Sequence, residues 1–226
     1  MFDVHYYETV ASTMDIARDN PRHGLVIQGG EQTGGRGRRG NAWLSPKGNL
    51  YQSIVLRPKT SQQYWGQLSF VMAVALGKAC EECGIKNYVL KWPNDVLIDG
   101  RKLAGILIEG HNDFVIVGTG VNIEICPDDR AKIQDIIDIS INDFRDLFLA
   151  QIEQFFTLWE RDGFITIREL WMKRAYKLGE DIQANLKDRS HTGKFHNIDS
   201  DGFLILKSNN DEEMKISSSD IINWEG

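Results

Sequence analysis

The sequence predicts an α+β chain with a small all-β unit at its C-terminal end. Three observations predict it. Short alternating or apolar runs, punctuated by Gly, Pro and Asn, recur from residue 2 to residue 125. A helical stretch follows over 142–176, anchored by Phe144, Phe148, Phe155, Trp159 and Trp171. From Gly179 onward, strand-like segments return, separated by Gly, Asp and Asn.

In chain order, FDVHYY alternates Phe2, Val4 and Tyr6 and predicts a strand. ASTMDIARDN predicts a short helix, with Ser12 and Asp15 as a variant capping box and Asn20-Pro21 as its stop. GLVIQGGE predicts a second strand. TGGRGRRGNAW is too rich in Gly and Arg for a regular element and reads as a loop. NLYQSIVLRP is a strand closed by Pro58. Over 62–83, Leu68, Val71, Met72, Ala75, Leu76 and Ala79 recur at spacings of three and four, and Gly84 ends the helix. YVLKW, DVLID and KLAGILIEG predict strands, the last two joined by an Asp99-Gly100 hairpin. FVIVGTGVNIEI predicts a strand interrupted at Gly118 and Gly120. DIQANLK, KFHNID and GFLILK predict the terminal β unit, about 45 residues, small enough to lean on the rest of the chain.

The chain has 226 residues, and Lys+Arg 26 against Asp+Glu 32 leave a net charge of −6, which argues against a non-specific nucleic-acid binder. No apolar run approaches the ~20 residues of a membrane span. The first ten residues, MFDVHYYETV, lack a signal-peptide pattern, so a cytoplasmic location is expected. Three cysteines make no disulfide framework; Cys80 and Cys83 have redox spacing but fall at the end of a helix. The five histidines show no metal-ligand spacing.

Four tracts carry candidate chemistry. Gly34-Gly35-Arg36-Gly37-Arg38-Arg39-Gly40 combines close backbone approach with guanidinium forks and suits an anion, against the plainer reading of a solvated basic loop. It lacks the Gly-Lys-Ser/Thr of a P-loop and the helix of a dinucleotide fingerprint. Lys91-Trp92-Pro93-Asn94-Asp95 ends a strand, as a turn or as a presenter of polar side chains to a cleft. In Arg101-Lys102-Leu103-Ala104-Gly105 a cation precedes two small residues, as a charged hairpin tip or a ligand contact. Gly118-Thr119-Gly120-Val121-Asn122 reads equally as a bulge or as backbone pressed against a ligand.

Together, GGRGRRGNAW, KWPNDVLIDGRKLAGILIE and VGTGVNI, in that order and spacing, resemble the biotin–protein ligase family over essentially the whole chain. The resemblance is to the monofunctional form without an N-terminal DNA-binding domain. It implies a class II synthetase-like mixed sheet with helices on one side over 1–177 and an SH3-like β-barrel over 178–226. It implies that biotin and ATP with Mg²⁺ give biotinyl-5′-AMP, and that a lysine of a biotin carboxyl carrier domain then takes the biotin. That domain would belong to a biotin-dependent carboxylase or decarboxylase. A homodimer is implied, with no nucleic-acid or membrane partner.

The resemblance also implies roles. Ser12, Thr13 and Gln32 fall at the ureido and thiophane end of biotin, with Met14 standing where the family commonly has Asn. Gly35, Arg36, Gly37 and Arg38 line the biotin tail and phosphate. Lys102 meets the biotin carboxylate and the adenylate phosphate, and Arg36, Arg38 and Lys102 form the catalytic cations. Gly105, Gly118 and Gly120 allow backbone approach to biotin. Trp43 covers the adenine and Asn94 holds its edge. Lys91, Asp95 and Asn122 occupy further ATP-side motif positions; the metal ligands are unassigned. The rivals are a lipoate–protein ligase, disfavoured because Ser12 and Gln32 suit a ureido ring, and a non-catalytic biotin- or adenylate-binding regulator, disfavoured because all three cations and Trp43 are retained.

Overall fold

Alternation at the N-terminus forms β1 (Asp3–Val10), which crosses through α1 (Thr13–Asp19) to a parallel partner, β2 (Leu25–Gln32). After the Gly/Arg loop come β3 (Leu50–Leu56), a 3₁₀ turn over 62–67 and α2 (Leu68–Glu82). Then β4 (Tyr88–Lys91), β5 (Asp95–Ile98), β6 (Arg101–Gly110) and β7 (Val115–Val121) follow. The helices α3 (Ile141–Asp162) and α4 (Ile165–Met172) lead to β8 (Asp181–Leu186), β9 (Ser190–Ile198), β10 (Leu204–Lys207), β11 (Glu213–Ile216) and β12 (Ile221–Glu225). The computed structural model describes residues 2–186, 189–208 and 210–225. Lys187, the last residue of the strand expected over 181–187, lies outside the described residues, as do Met1 and Gly226 at the ends of the two expected domains.

The first seven strands form one mixed sheet in the order β1-β2-β3-β7-β6-β5-β4, antiparallel except for β1 with β2. Alternate residues separate its faces. Val26, Ile54 and Val117 join the core beneath α2, α3 and α4, whereas Leu25, Ile27, Val55 and Ile116 pack with Met14 and Ala17 of α1 on the other side. The helix layer is thus one-sided apart from α1. Beyond α1, the opposite face carries Gly105, Gly118 and Gly120 and becomes the floor of a cavity.

α2 is buried nearly all round, from Leu68 to Cys80, because it packs on β4, β5 and β6 and also beneath α3 and α4. α3 begins at Ser140, whose hydroxyl accepts from the Asp143 N–H at 3.1 Å. The expected hairpin between β5 and β6 is present, with Asp99 and Gly100 both at positive φ, 49° and 74°. The expected break at Gly118 and Gly120 is absent. Both residues pair in unbroken register with β3 and β6, so their glycines answer to a neighbour above the strand.

The C-terminal strands form a five-stranded antiparallel sheet, β11-β10-β9-β8-β12. These strands agree with the SH3-like unit expected here, but as an open sheet rather than a barrel. Among the described residues, β11 and β12 end the order and do not pair with each other. β12 is instead drawn onto the first sheet: Trp224 Nε1 donates to the Trp92 carbonyl at 2.7 Å, and Trp92 Nε1 donates to the Gly202 carbonyl at 3.0 Å. Ile182, Phe195 and Trp224 belong to the same apolar cluster as α2 and α3, so the small unit does lean on the larger.

Candidate functional site

Above the glycine floor lies a cavity of about 490 Å³. Its walls come from the start of α1 (Ser12, Thr13, Met14), the end of β2 (Gln32), the Gly/Arg loop (Arg36, Gly37, Arg38, Trp43), the β4–β5 turn (Asn94, Asp95) and β6–β7. Fourteen of the seventeen residues expected at the site therefore share it.

At one end the polar groups are already in mutual contact. Gln32 Oε1 accepts from the Thr13 N–H at 2.9 Å and its hydroxyl at 3.1 Å, and Gln32 Nε2 donates to Ser45 Oγ at 3.0 Å. Thr13 Oγ1 lies 2.7 Å from Ser53 Oγ. Ser12, expected to cap α1, makes no cap hydrogen bond with its side chain. The capping box fails because the Asp15 carboxylate is taken by the guanidiniums of Arg18 and Arg36, each at 2.9 Å.

The floor explains three glycines. Gly105 and Gly120 are cross-strand partners, and the Trp43 indole lies in the notch they leave. A Cβ on Gly120 would fall 2.5 Å from the indole Nε1, and one on Gly105 2.8 Å from its Cζ3. A Cβ on Gly118 would meet Met14 Sδ at 2.9 Å. Trp43 Nε1 is buried without a hydrogen-bond partner, a cost that a ligand acceptor or a movement of the ring would relieve.

Two of the three cations, Lys102 and Arg36, are paired with carboxylates, and Arg38 is held by neutral oxygens. Lys102 Nζ lies 2.7 Å from Asp95 Oδ1 and 5.2 Å from the centre of the Trp43 ring. Arg38 Nη1 reaches Asn94 Oδ1 at 3.4 Å and its other amino group contacts the Ser218 carbonyl of the C-terminal unit. Burial, and then the neighbouring Arg39 charge, pull the Arg38 guanidinium below its ordinary pKa, with Asp95 opposing them. A desolvated cation of this kind gains from an anion. Asn94 is fixed by donating to the Ile106 carbonyl at 2.9 Å.

Three expected residues lie outside the cavity wall. Gly35 lets the loop pass close to Ser45 and the Trp43 carbonyl. Asn122 Nδ2 donates to the carbonyls of Lys102, at 3.3 Å, and Ala131, at 3.0 Å, clipping the following segment beside Lys102. Lys91 Nζ sits 4.6 Å from the centre of the Trp224 ring and 3.3 Å from the Trp224 carbonyl, facing the C-terminal unit. Conversely, Arg130 and Ile222 line the cavity although nothing in their local sequence marks them. They arrive through a Lys102–Arg130 bridge and through β12.

A model described as the biotin/lipoate A/B protein ligase family matches residues 6–125, and one described as the biotin protein ligase C terminal domain matches 177–224. A biotin–[acetyl-CoA-carboxylase] ligase of Paracoccus denitrificans is 38% identical over 197 residues, spanning 78% of this chain and 81% of that protein. The bifunctional ligase/repressor BirA of Bacillus subtilis is 31% identical over 236 residues, spanning 96% of this chain and 72% of that protein. The structure of the biotin protein ligase from Aquifex aeolicus in complex with biotin and ATP superposes with a TM-score of 0.90 at 27% identity, covering 100% of this chain and 99% of that one.

Proposed function

The chain belongs to the biotin/lipoate A/B protein ligase family, and we infer from that premise that it is an ATP-dependent biotin–protein ligase. It activates biotin as biotinyl-5′-AMP and transfers the biotinyl group to a lysine of a biotin carboxyl carrier domain. The observation that carries this reading is the placing of Arg36, Arg38 and Lys102 around one cavity with a glycine floor. In the first step a biotin carboxylate oxygen attacks the α-phosphorus and the bond to pyrophosphate breaks. Two anions must meet, and the three cations supply fixed charge where negative charge grows. In the second step the carrier lysine nitrogen attacks the acyl carbon, AMP leaves and the amine loses a proton. The Gly/Arg loop and Trp43 keep water from the mixed anhydride between the steps.

Residue by residue, Ser12, Thr13, Met14 and Gln32 face the biotin rings, and Gly105, Gly118 and Gly120 let the ligand lie on the sheet. Trp43 and Asn94 serve the adenine, with Lys91, Asp95 and Asn122 behind them. Magnesium arrives as MgATP. Among the described residues no three His, Cys, Asp or Glu side chains gather as a cage, and Asp95 is the one carboxylate lining the cavity. That suits an ion held mainly by phosphate oxygens.

Residues 1–177 then act as the catalytic domain and 178–226 as its C-terminal partner, supported by the second sheet starting at Asp181. The carrier belongs to a biotin-dependent carboxylase or decarboxylase, and a reaction that uses ATP and such a carrier supports a cytoplasmic location. A homodimer is supported by the outer half of β6, where Leu107–Gly110 pair with β7 on one side and with no strand on the other among the described residues. No helix among the described residues is long and apolar enough to cross a membrane.

Incubation with biotin, MgATP and a carrier domain is expected to yield protein-bound biotin. Transfer of lipoate in preference to biotin would overturn the substrate, and absence of any transfer would overturn the activity.

A further inference from the structure

Two guanidiniums and two carboxylates close a ring at the rim of the cavity. Arg36 Nη1 donates to both oxygens of Asp15, each at 2.9 Å. Arg18 donates to Asp15 Oδ1 at 2.9 Å through Nη1 and to Glu109 Oε2 at 2.8 Å through Nη2. Arg36 Nη2 stands 3.6 Å from Glu109 Oε1, beyond hydrogen-bond length, and is buried without a hydrogen-bond partner. Asp15 and Arg18 sit on α1 and Glu109 on β6, whereas Arg36 belongs to the Gly/Arg loop. The ring therefore ties a loop cation to two regular elements.

A long cation on a glycine-rich loop would otherwise lose much freedom when it meets its ligand. Here one amino group is already anchored by hydrogen bonds, and the other makes none, standing only in the longer ion-pair contact with Glu109. Arg18 braces the arrangement by holding Asp15 from its other side, and the four formal charges cancel. We propose that Asp15 is a positioning residue for adenylate formation, acting through Arg36. It grips Nη1 so that Nη2 is presented to the anion formed by the biotin carboxylate and the α-phosphate. The proposal rests on the reading that Arg36 meets a ligand anion in this cavity.

The test is biotin-dependent ATP–pyrophosphate exchange in the full chain for Asp15→Asn, Arg36→Gln and the double variant, each with a thermal melt. Asp15→Asn is expected to lower kcat by about 10- to 100-fold, the scale for misplacing a reacting group, with the melting temperature and the KM for biotin little changed. The double variant is expected to lose no more than Arg36→Gln alone, since the two residues act as one unit. Losses that multiply would show Asp15 acting independently and overturn the proposal. Faster turnover in Asp15→Asn would also overturn it, by showing that Asp15 competes with the ligand. Wild-type turnover in Asp15→Asn beside a crippled Arg36→Gln rejects Asp15 alone. Wild-type turnover in Arg36→Gln rejects the role of Arg36 itself, and this one with it. Should Asp15→Asn melt early, Glu109→Gln loosens the same ring from β6. It is expected to give a smaller kcat loss that vanishes in the Arg36→Gln background, and full turnover there overturns the proposal.

Discussion

On the helix-covered face of the seven-stranded sheet, Phe144, Phe148 and Trp159 of α3 lie buried among the aliphatic side chains of α2. On the opposite face the same strands present Gly105, Gly118 and Gly120, and Trp43 and Met14 lie over them beside the paired charges of Lys102 with Asp95 and Arg36 with Asp15. The first face removes large apolar side chains from water, which is where folding free energy comes from. The second contributes less of that kind, through the smaller cluster of Leu25, Ile27, Val55 and Ile116 beneath α1. Its ion pairs, Lys102 with Asp95 and Arg36 with Asp15, offset desolvation rather than add net stability. Period-two alternation lets one strand serve both purposes. On β7, Val117 and Val121 point to the core while Gly118 and Gly120 form the cavity floor.

The contrast is tested most severely on the core face. Phe148→Ala removes a fully buried ring and is expected to cost about 3–5 kcal/mol of stability, read by denaturant unfolding. Activity per folded molecule should hold, and a catalytic loss in the folded fraction would break the division between the faces. On the site face, Lys102→Ala is expected to slow adenylate formation by roughly 10²–10³, the loss typical of one transition-state donor, with an unchanged melting temperature. Pyrophosphate release at the wild-type rate would show that Lys102 does not meet developing charge. The smallest effect is expected of Trp43→Ala. Loss of a stacking surface should weaken ATP binding about tenfold, or 1.4 kcal/mol, while biotin binding without ATP changes less. Calorimetric titration of each ligand separates this from a structural role, in which both affinities and the melting temperature would fall together.

Most strands and helices were legible because their signals are local: alternation in FDVHYY, the Asp99-Gly100 turn, the threes and fours of α2. Ten of the fourteen grouped site residues were legible in three tracts that folding brings together, and Ser12, Thr13, Met14 and Gln32 through the family resemblance alone. Arg130 and Ile222 were not, because a chain segment that reaches a cavity by a bridge or an edge strand carries no periodic mark. Asp15 was misread as a cap because a carboxylate near a helix start looks the same whether it meets an N–H or a distant guanidinium. The bulge reading of Gly118 and Gly120 failed for a related reason: the residues that require their missing side chains, Met14 over Gly118 and Trp43 over Gly120, belong to other parts of the chain. The openness of the C-terminal sheet depends on where β12 is drawn by Trp224, again a long-range pairing.

The strand order has a consequence for folding kinetics. β4, β5 and β6 form a local antiparallel meander with β7, and β1, α1, β2 and β3 form a second local unit, and within the sheet the two join along the seam of β3 with β7. Closing that seam brings together positions as distant in sequence as Leu50 and Val121, and contacts of such range form slowly. The cavity straddles it, with Arg36 and Trp43 on one side and Lys102 and Gly120 on the other. A chain with either half formed has no binding site, so ligand can add its mass-action stabilisation only to the chain whose seam has closed. Biotin present during refolding should therefore leave the rate of seam formation unchanged and slow its reopening.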